Sequence, residues 1–440
     1  MKKTLAIILC LAMLLPMAGI ASAEGTKGVI NLYSFTTEIS EMIDRFLKDH
    51  PEFPYTVTST VIATTDGLYQ PALDQALVGG GGDAPDIYGL ESAFVLKYTQ
   101  GDMSEFAAAY ADIGIDLAKV ESSEIAPYSV DIGTRPSDGA LVALGYQATG
   151  GALIYRRDIA IDVWGTDDPA VVAEKVGPGM DKFLEAAEEL KAKGYVAISS
   201  DGDLWHAIEA GAENGWLDEN GALYIDPVRE SFIDVAKAIK DNGYGNDTGA
   251  WGEAWYADFA GLGDKQVFAF FGPAWLINYV MAGNVGEQFG KYAVAESPIP
   301  FFWGGTWIAA NKDLANDADK AAAVAQIIDW ITLDDSDTGL QYLWANGLMN
   351  DAGTKDTVAS GTVMAKSNGS VPMLADQNMF EVFVPANAYA DGSTLTQYDE
   401  RINSIWQDHV HQYINGNMDR EQAIAAFKQA VADEFGIDAP

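Results

Sequence analysis

The sequence predicts an α/β protein built as two domains, and three observations carry that prediction. Short β-like runs alternate with amphipathic helical runs at the spacing of a parallel sheet. At 440 residues the chain is long enough for two hydrophobic cores. Its single cysteine, Cys10, lies in an apolar run near the start, so the rest of the chain has no disulfide or cysteine metal site and depends on burial.

The elements follow in order. GVINLYSF (28–35) is the first strand, and Ile39, Met42, Ile43, Phe46 and Leu47 then recur at helical spacing, with Thr36 or Thr37 placed to cap the helix. YTVTSTVI (55–62) is a second strand, LYQPALDQALV (68–78) a helix with Pro71 in its first turn, and PDIYGL (85–90) a third strand. The glycine run at 79–82 lacks the Lys-Ser/Thr of a phosphate cradle and reads as a helix-to-strand loop. Two β-like segments within 140–165, around Gly145-Tyr146-Gln147, suit a chain passing from one domain to the other. Helices are predicted near 180–193, 204–212, 228–242 and 273–282. Strand character returns at 294–311, ahead of a helix with Val324, Ile327, Ile328 and Ile331 on one face. The last helix (419–435) turns Ile424, Phe427, Val431 and Phe435 inward, and Asp419 with Gln422 forms a capping arrangement at its start.

A formal net charge of −38 sets the protein apart from nucleic-acid and anionic-lipid binders. Lys2-Lys3, the apolar run from Leu5 to Ile20 and Ala21-Ser22-Ala23 form a secretory signal over residues 1–23, with the mature chain expected from Glu24. Ile8-Leu9 before Cys10 are not the small residues of a lipoprotein signal, so the expected location is periplasmic or extracellular without a lipid anchor.

Five segments resemble one known family. They are GGDAPDIYGLES (81–92), VALGYQATGGALIYRRDI (142–159), VFAFFGPAWLINYV (267–280), IPFFWGGTWIAANKD (299–313) and YINGNMDREQAIAAFKQA (413–430). In that order and spacing they are similar to the extracytoplasmic solute-binding proteins of bacterial carbohydrate ABC importers, the group that includes maltose-binding protein. The resemblance implies a two-lobed periplasmic-binding-protein fold of type II, with doubly wound sheets joined by hinge segments and a ligand clamped between the lobes. It places residues 24–138 with 305–347 in one lobe and 139–304 with 348–440 in the other. The implied partners are a carbohydrate and a membrane permease, for a monomer with no catalytic activity and no cofactor.

A sugar offers apolar C–H faces to aromatic rings and a rim of hydroxyls to carboxylates, amides and hydroxyls. The chain's tryptophans and its strand-end loops supply both kinds of group. Among polar residues the expected ligand contacts are Tyr33, Thr36 and Glu38 after the first strand, Thr65 and Asp66 after the second, and Glu91 and Ser92 after the third. Tyr146 and Gln147 join them at the passage between domains. Among aromatics they are Trp205, Trp251, Trp255, Trp275, Trp303 and Trp307. Trp251 and Trp255, one helical turn apart, suit a core face equally well. Of the pair around Gly304-Gly305, Trp307 is the better ligand candidate and Trp303 is lip or packing.

No metal site is expected: His409 and His411 diverge on a helix, and DDSDTG (334–339) lacks the final glutamate of a calcium loop, with Asn346 in its place. Two other readings stand beside the receptor: the same fold binding a polyamine or other small solute, and a secreted glycoside hydrolase with paired carboxylates.

Overall fold

The computed structural model describes residues 26–64 and 67–440. The expected signal segment, Cys10, Thr65 and Asp66 lie outside the described residues.

Ten strands are present among the described residues: β1 (Gly28–Ser34), β2 (Tyr55–Val61), β3 (Ile87–Glu91), β4 (Thr134–Arg135), β5 (Ala140–Leu141), β6 (Ala143–Gly145), β7 (Ala152–Arg156), β8 (Ala269–Gly272), β9 (Tyr292–Ala295) and β10 (Thr306–Ala310). Five of them make one sheet in the order β2-β1-β3-β10-β6, and three make a second in the order β8-β7-β9. β4 and β5 pair as a small hairpin.

In the larger sheet β1 runs parallel to β2 and β3, in the register Gly28↔Tyr55 and Leu32↔Ile87. β10 enters antiparallel between β3 and β6, with Trp307 opposite both Leu90 and Gly145. A strand paired on both edges and covered on both faces holds only side chains that tolerate full burial, and every residue of β10 is buried. Helix Glu38–Asp49 covers one face with Ile39, Met42, Ile43 and Phe46. Its cap comes from Thr36, whose Oγ1 accepts the Glu38 N–H at 3.3 Å, while the Thr37 side chain makes no capping bond. Pro71 sits in the first turn of helix Tyr69–Gly79, where a missing N–H costs nothing.

The first passage from the larger sheet to the smaller one runs through 146–151, later than the expected 138–140. The cause is the apolar Ala143-Leu144-Gly145 segment, which completes the first sheet against β10. The chain returns between Ala295 and Thr306. A third segment, near 357–360, runs beside the first passage: Val358 bridges to Gln147 in it, and Ser360 bridges to Ile125. The expected last passage at 347–350 precedes it.

Around the smaller sheet the core is rich in large rings. Trp205, Trp216 and Trp406 gather with Phe232 and Phe427, each 1% exposed or less. The closing helix Arg420–Phe435 has the expected capping box between Asp419 and Gln422 and buries Ala423, Phe427 and Val431. Ile424 and Phe435 are half-buried beside them.

Candidate functional site

A cavity of about 830 Å³ lies where the two sheets and their connections meet. One wall comes from the carboxyl ends of the parallel strands: Phe35, Thr36 and Glu38 follow β1, Thr64 follows β2, and Glu91 with Ser92 ends β3. In open α/β sheets that is where ligand-binding loops gather. Gln147 and the segment Phe302–Thr306 form the floor, so the chain passages themselves line the cavity. The opposite wall is built from helix Asp201–Ala210, from Trp251 and Trp275, and from the first turn of helix Asp399–Ile414.

The aromatic part of this wall is a packed group. Trp251 and Trp275 lie nearly parallel, 6.2 Å apart at 8°, and Trp303 meets Trp275 edge-on at 4.7 Å. On its other face Trp303 stacks with His206 at 3.9 Å and 14°. Trp275 Nε1 donates to the Trp303 carbonyl at 3.1 Å, tying this wall to the passage. Gly304 has φ +78°, and a Cβ there would stand 3.1 Å from Trp275 Nε1, so glycine is what lets the indole approach the backbone. Trp251 holds a positive φ of 67° and remains 50% exposed. A bulky residue in that region is strained backbone, and here the strain presents an indole face to the cavity.

The polar part is dominated by carboxyls. Glu91 accepts from Ser92 Oγ at 2.8 Å and from the Ala93 N–H at 3.2 Å, while burial raises its pKa above the ordinary range. Burial pushes Glu38 up to about 7 against the opposing hydrogen bond donated by Tyr146 Oη. Asp356, beneath the floor, is pushed up to about 7 by burial although Gln147 Nε2 donates to it at 3.0 Å. Across the cavity, burial raises Glu209 to about 7 and Asp399 to about 6, with Arg229 pulling both the other way. Glu400 is raised first by burial and then by the charge of Glu91 on the facing wall. Burial drives His206 down to about 3, so its ring is neutral and serves as an aromatic face. Among the described residues no group of three or more His, Asp or Glu side chains is disposed to hold a metal ion.

Of the side chains singled out from sequence, Thr36, Glu38, Glu91, Ser92, Gln147, Trp251, Trp275 and Trp303 line the cavity, and Trp205 borders it while its ring is 1% exposed in the core around the smaller sheet. Four others do not. Tyr33 turns its hydroxyl to the Asp83 carbonyl at 3.4 Å. Tyr146 is buried behind Glu38. Trp255 is fully buried, its Nε1 donating to Asp203 Oδ1 at 3.0 Å. Trp307 is 1% exposed in the middle of β10, its Nε1 donating to the Ser129 carbonyl at 3.0 Å. The preference for Trp307 over Trp303 as the residue facing the cavity is therefore reversed in the structure. The reason is register: strand alternation turns Trp307 into the apolar layer with Tyr88 and Leu90.

Sequence reasoning passed over His206, Glu209, Arg229, Tyr279, Asp399 and Glu400, all of which line the cavity. The signal at hand for the first two was the helix DLWHAIEA, in which His206 and Glu209 are three residues apart on one face. Asp399 and Glu400 reach the cavity only through tertiary packing.

No protein-family model and no curated protein sequence matches the chain. Solved structures do match. A structure described as an extracellular solute-binding protein of family 1 superposes with TM-score 0.73 at 19% identity, covering 92% of this chain and 99% of its own. The galacto-N-biose/lacto-N-biose I-binding protein of a Bifidobacterium longum ABC transporter, in complex with lacto-N-biose, gives TM-score 0.68 at 14% identity over 95% and 100% of the two chains. An ABC substrate-binding protein from Listeria monocytogenes, in complex with cycloalternan, gives 0.66 at 15% over 94% and 100%. The chain has the two-lobed periplasmic-binding-protein fold. The larger sheet centres one lobe, the smaller sheet the other, and the cavity is the cleft between them.

Proposed function

We propose that this protein is an extracytoplasmic receptor that binds a sugar or oligosaccharide between its lobes and delivers it to the membrane permease of an ABC importer. The observation that carries the reading is the composition of the cleft. Trp251, Trp275 and Trp303 offer flat apolar faces on one side, and Thr36, Glu38, Glu91, Ser92 and Gln147 offer a hydrogen-bonding rim on the other. Indoles stack on the C–H faces of a pyranose, while carboxylate and amide groups fix its hydroxyls. A volume of about 830 Å³ lies in the range of sites that enclose a ligand of several hundred daltons. Two neighbours of the same fold hold lacto-N-biose and cycloalternan.

The signal-like segment over residues 1–23 supports export. The receptor works as a monomer without catalysis. Its carboxyls hold and orient hydroxyls, and no bond in the ligand is broken.

Titration calorimetry against neutral oligosaccharides of several linkages tests the reading, with Trp303→Ala as control. Saturable binding to a glycan, weakened in the variant and with the glycan recovered intact, is the expected result. Product formation on incubation would replace the receptor with a hydrolase, and binding of polyamines alone would remove the sugar.

A further inference from the structure

The cleft is lined by more carboxyls than hydroxyl recognition requires. Glu38, Glu91, Glu209, Asp391, Asp399 and Glu400 all line it, and Arg229 is the one Lys or Arg side chain among its described lining residues. None of the six acids is in an ion pair among the described residues; the pairs that exist lie elsewhere. Arg229 is itself engaged, donating from Nη1 to the Asn214 carbonyl and lying 4.9 Å over the Trp216 ring. It offsets part of the charge of Glu209 and Asp399 and leaves Glu91 and Glu400 facing each other from opposite lobes.

A second observation is independent of the acids. The cleft also presents the flat faces of Trp251, Trp275 and Trp303. The rings call for a stacked sugar face, and the acids call for positive charge. A polyamine in its protonated form supplies charge without a ring to stack, and a neutral sugar supplies a ring without charge. A sugar carrying an ammonium supplies both.

Resting on the sugar reading above, we infer that the ligand is an amino sugar, a glycan with at least one free, protonated amine. The ammonium is held by the uncompensated acids of the facing walls, Glu91 and Glu400, with the ring stacked on the tryptophans. The ring hydroxyls meet Thr36, Ser92 and Gln147 at the rim. The indole faces add to the attraction, because a cation is favoured over a π surface.

The test is calorimetry at neutral pH with glucosamine oligomers, their N-acetylated counterparts, neutral glucose oligomers of the same length, and spermidine. Glucosamine oligomers should bind at least about tenfold tighter than the N-acetylated form, with affinity falling as salt rises. Glu400→Gln, at a side chain exposed to the cavity and outside any core, should erase most of that preference while preserving the melting temperature. Equal or tighter binding of the N-acetylated or neutral oligomers overturns the inference and leaves the sugar receptor standing. A response to spermidine with none to any glycan overturns both readings.

Discussion

Trp303 and Trp307 stand four residues apart on either side of Gly304-Gly305, yet they do opposite work. Trp307 is held on all sides by β3, β6 and the helix carrying Tyr128 and Ser129, with its N–H satisfied by a backbone carbonyl. Trp303 is half-buried between His206 and Trp275 and turns the remainder of its indole to the cleft. One ring contributes to the fold by being inaccessible; the other, incompletely covered, keeps part of its face open to the cleft. Residue type does not separate these roles; strand register and the glycine pair do.

Substitution at the buried ring should have the largest effect. Trp307→Ala opens a cavity at the centre of the larger sheet and leaves the Ser129 carbonyl without its donor, with an expected loss of about 3–5 kcal/mol in denaturant unfolding. The folded fraction should keep its ligand affinity within a few fold; a large affinity loss without destabilisation would break the contrast.

Next in size is the hinge of the comparison itself. Gly305 has φ +115°, and a Cβ there would come within 3.1 Å of the Trp307 ring. Gly305→Ala should therefore cost about 1–3 kcal/mol of stability. A neutral result in chemical denaturation would show that the backbone relaxes there.

Trp303→Ala sharpens the other side. It should weaken glycan binding by about 1–2 kcal/mol, roughly five- to thirty-fold, with a smaller loss of stability because the ring is only partly covered. Calorimetry and thermal melting on the same preparation separate the two numbers.

The last contrast concerns pH, and it sets the apolar seat of Trp307 against the carboxyl-bearing floor near Gln147. Asp356 carries a folded-state pKa of about 7, raised by burial, whereas an unfolded aspartate ionises near 4. Between those values the folded protein holds the extra proton. Its contribution to stability is therefore greatest at the acid end of that window and declines as pH rises through about 7. Asp356→Asn should flatten this slope, and melting temperatures measured from pH 5 to 8 check it; an unchanged slope would move the effect to Glu38 and its neighbours.

Much of the fold was legible in the sequence because its elements are locally determined. The periodicity of Ile39, Met42, Ile43 and Phe46 marks a helix whatever it packs on, and Asp419 with Gln422 caps its helix through contacts three residues apart. The strand ends after β1 and β3 were legible as loop positions, and Thr36, Glu38, Glu91 and Ser92 do line the cleft. What was not legible depends on long-range packing. Nothing near Asp399 or Glu400 says that their helix will swing its first turn to face Glu91, more than three hundred residues earlier in the chain. The first passage was placed too early because Ala143–Gly145 becomes a strand only by pairing with β10, over 150 residues away. The two indoles of AWGEAW, Trp251 and Trp255, parted for a similar reason. The helix starts at Glu253, so Trp255 is on it and turned inward, while Trp251 precedes it in a left-handed turn.

The near-parallel stacking of Trp251 on Trp275 has a consequence beyond recognition. Two indoles 6.2 Å apart at 8°, with a third at an angle of 64° to both, are coupled chromophores held in a fixed chiral arrangement. Their near-ultraviolet circular dichroism and their emission depend on that geometry and on the water that touches it. A guest seated against these rings changes both, so the protein carries its own optical gauge of occupancy at the centre of the cleft.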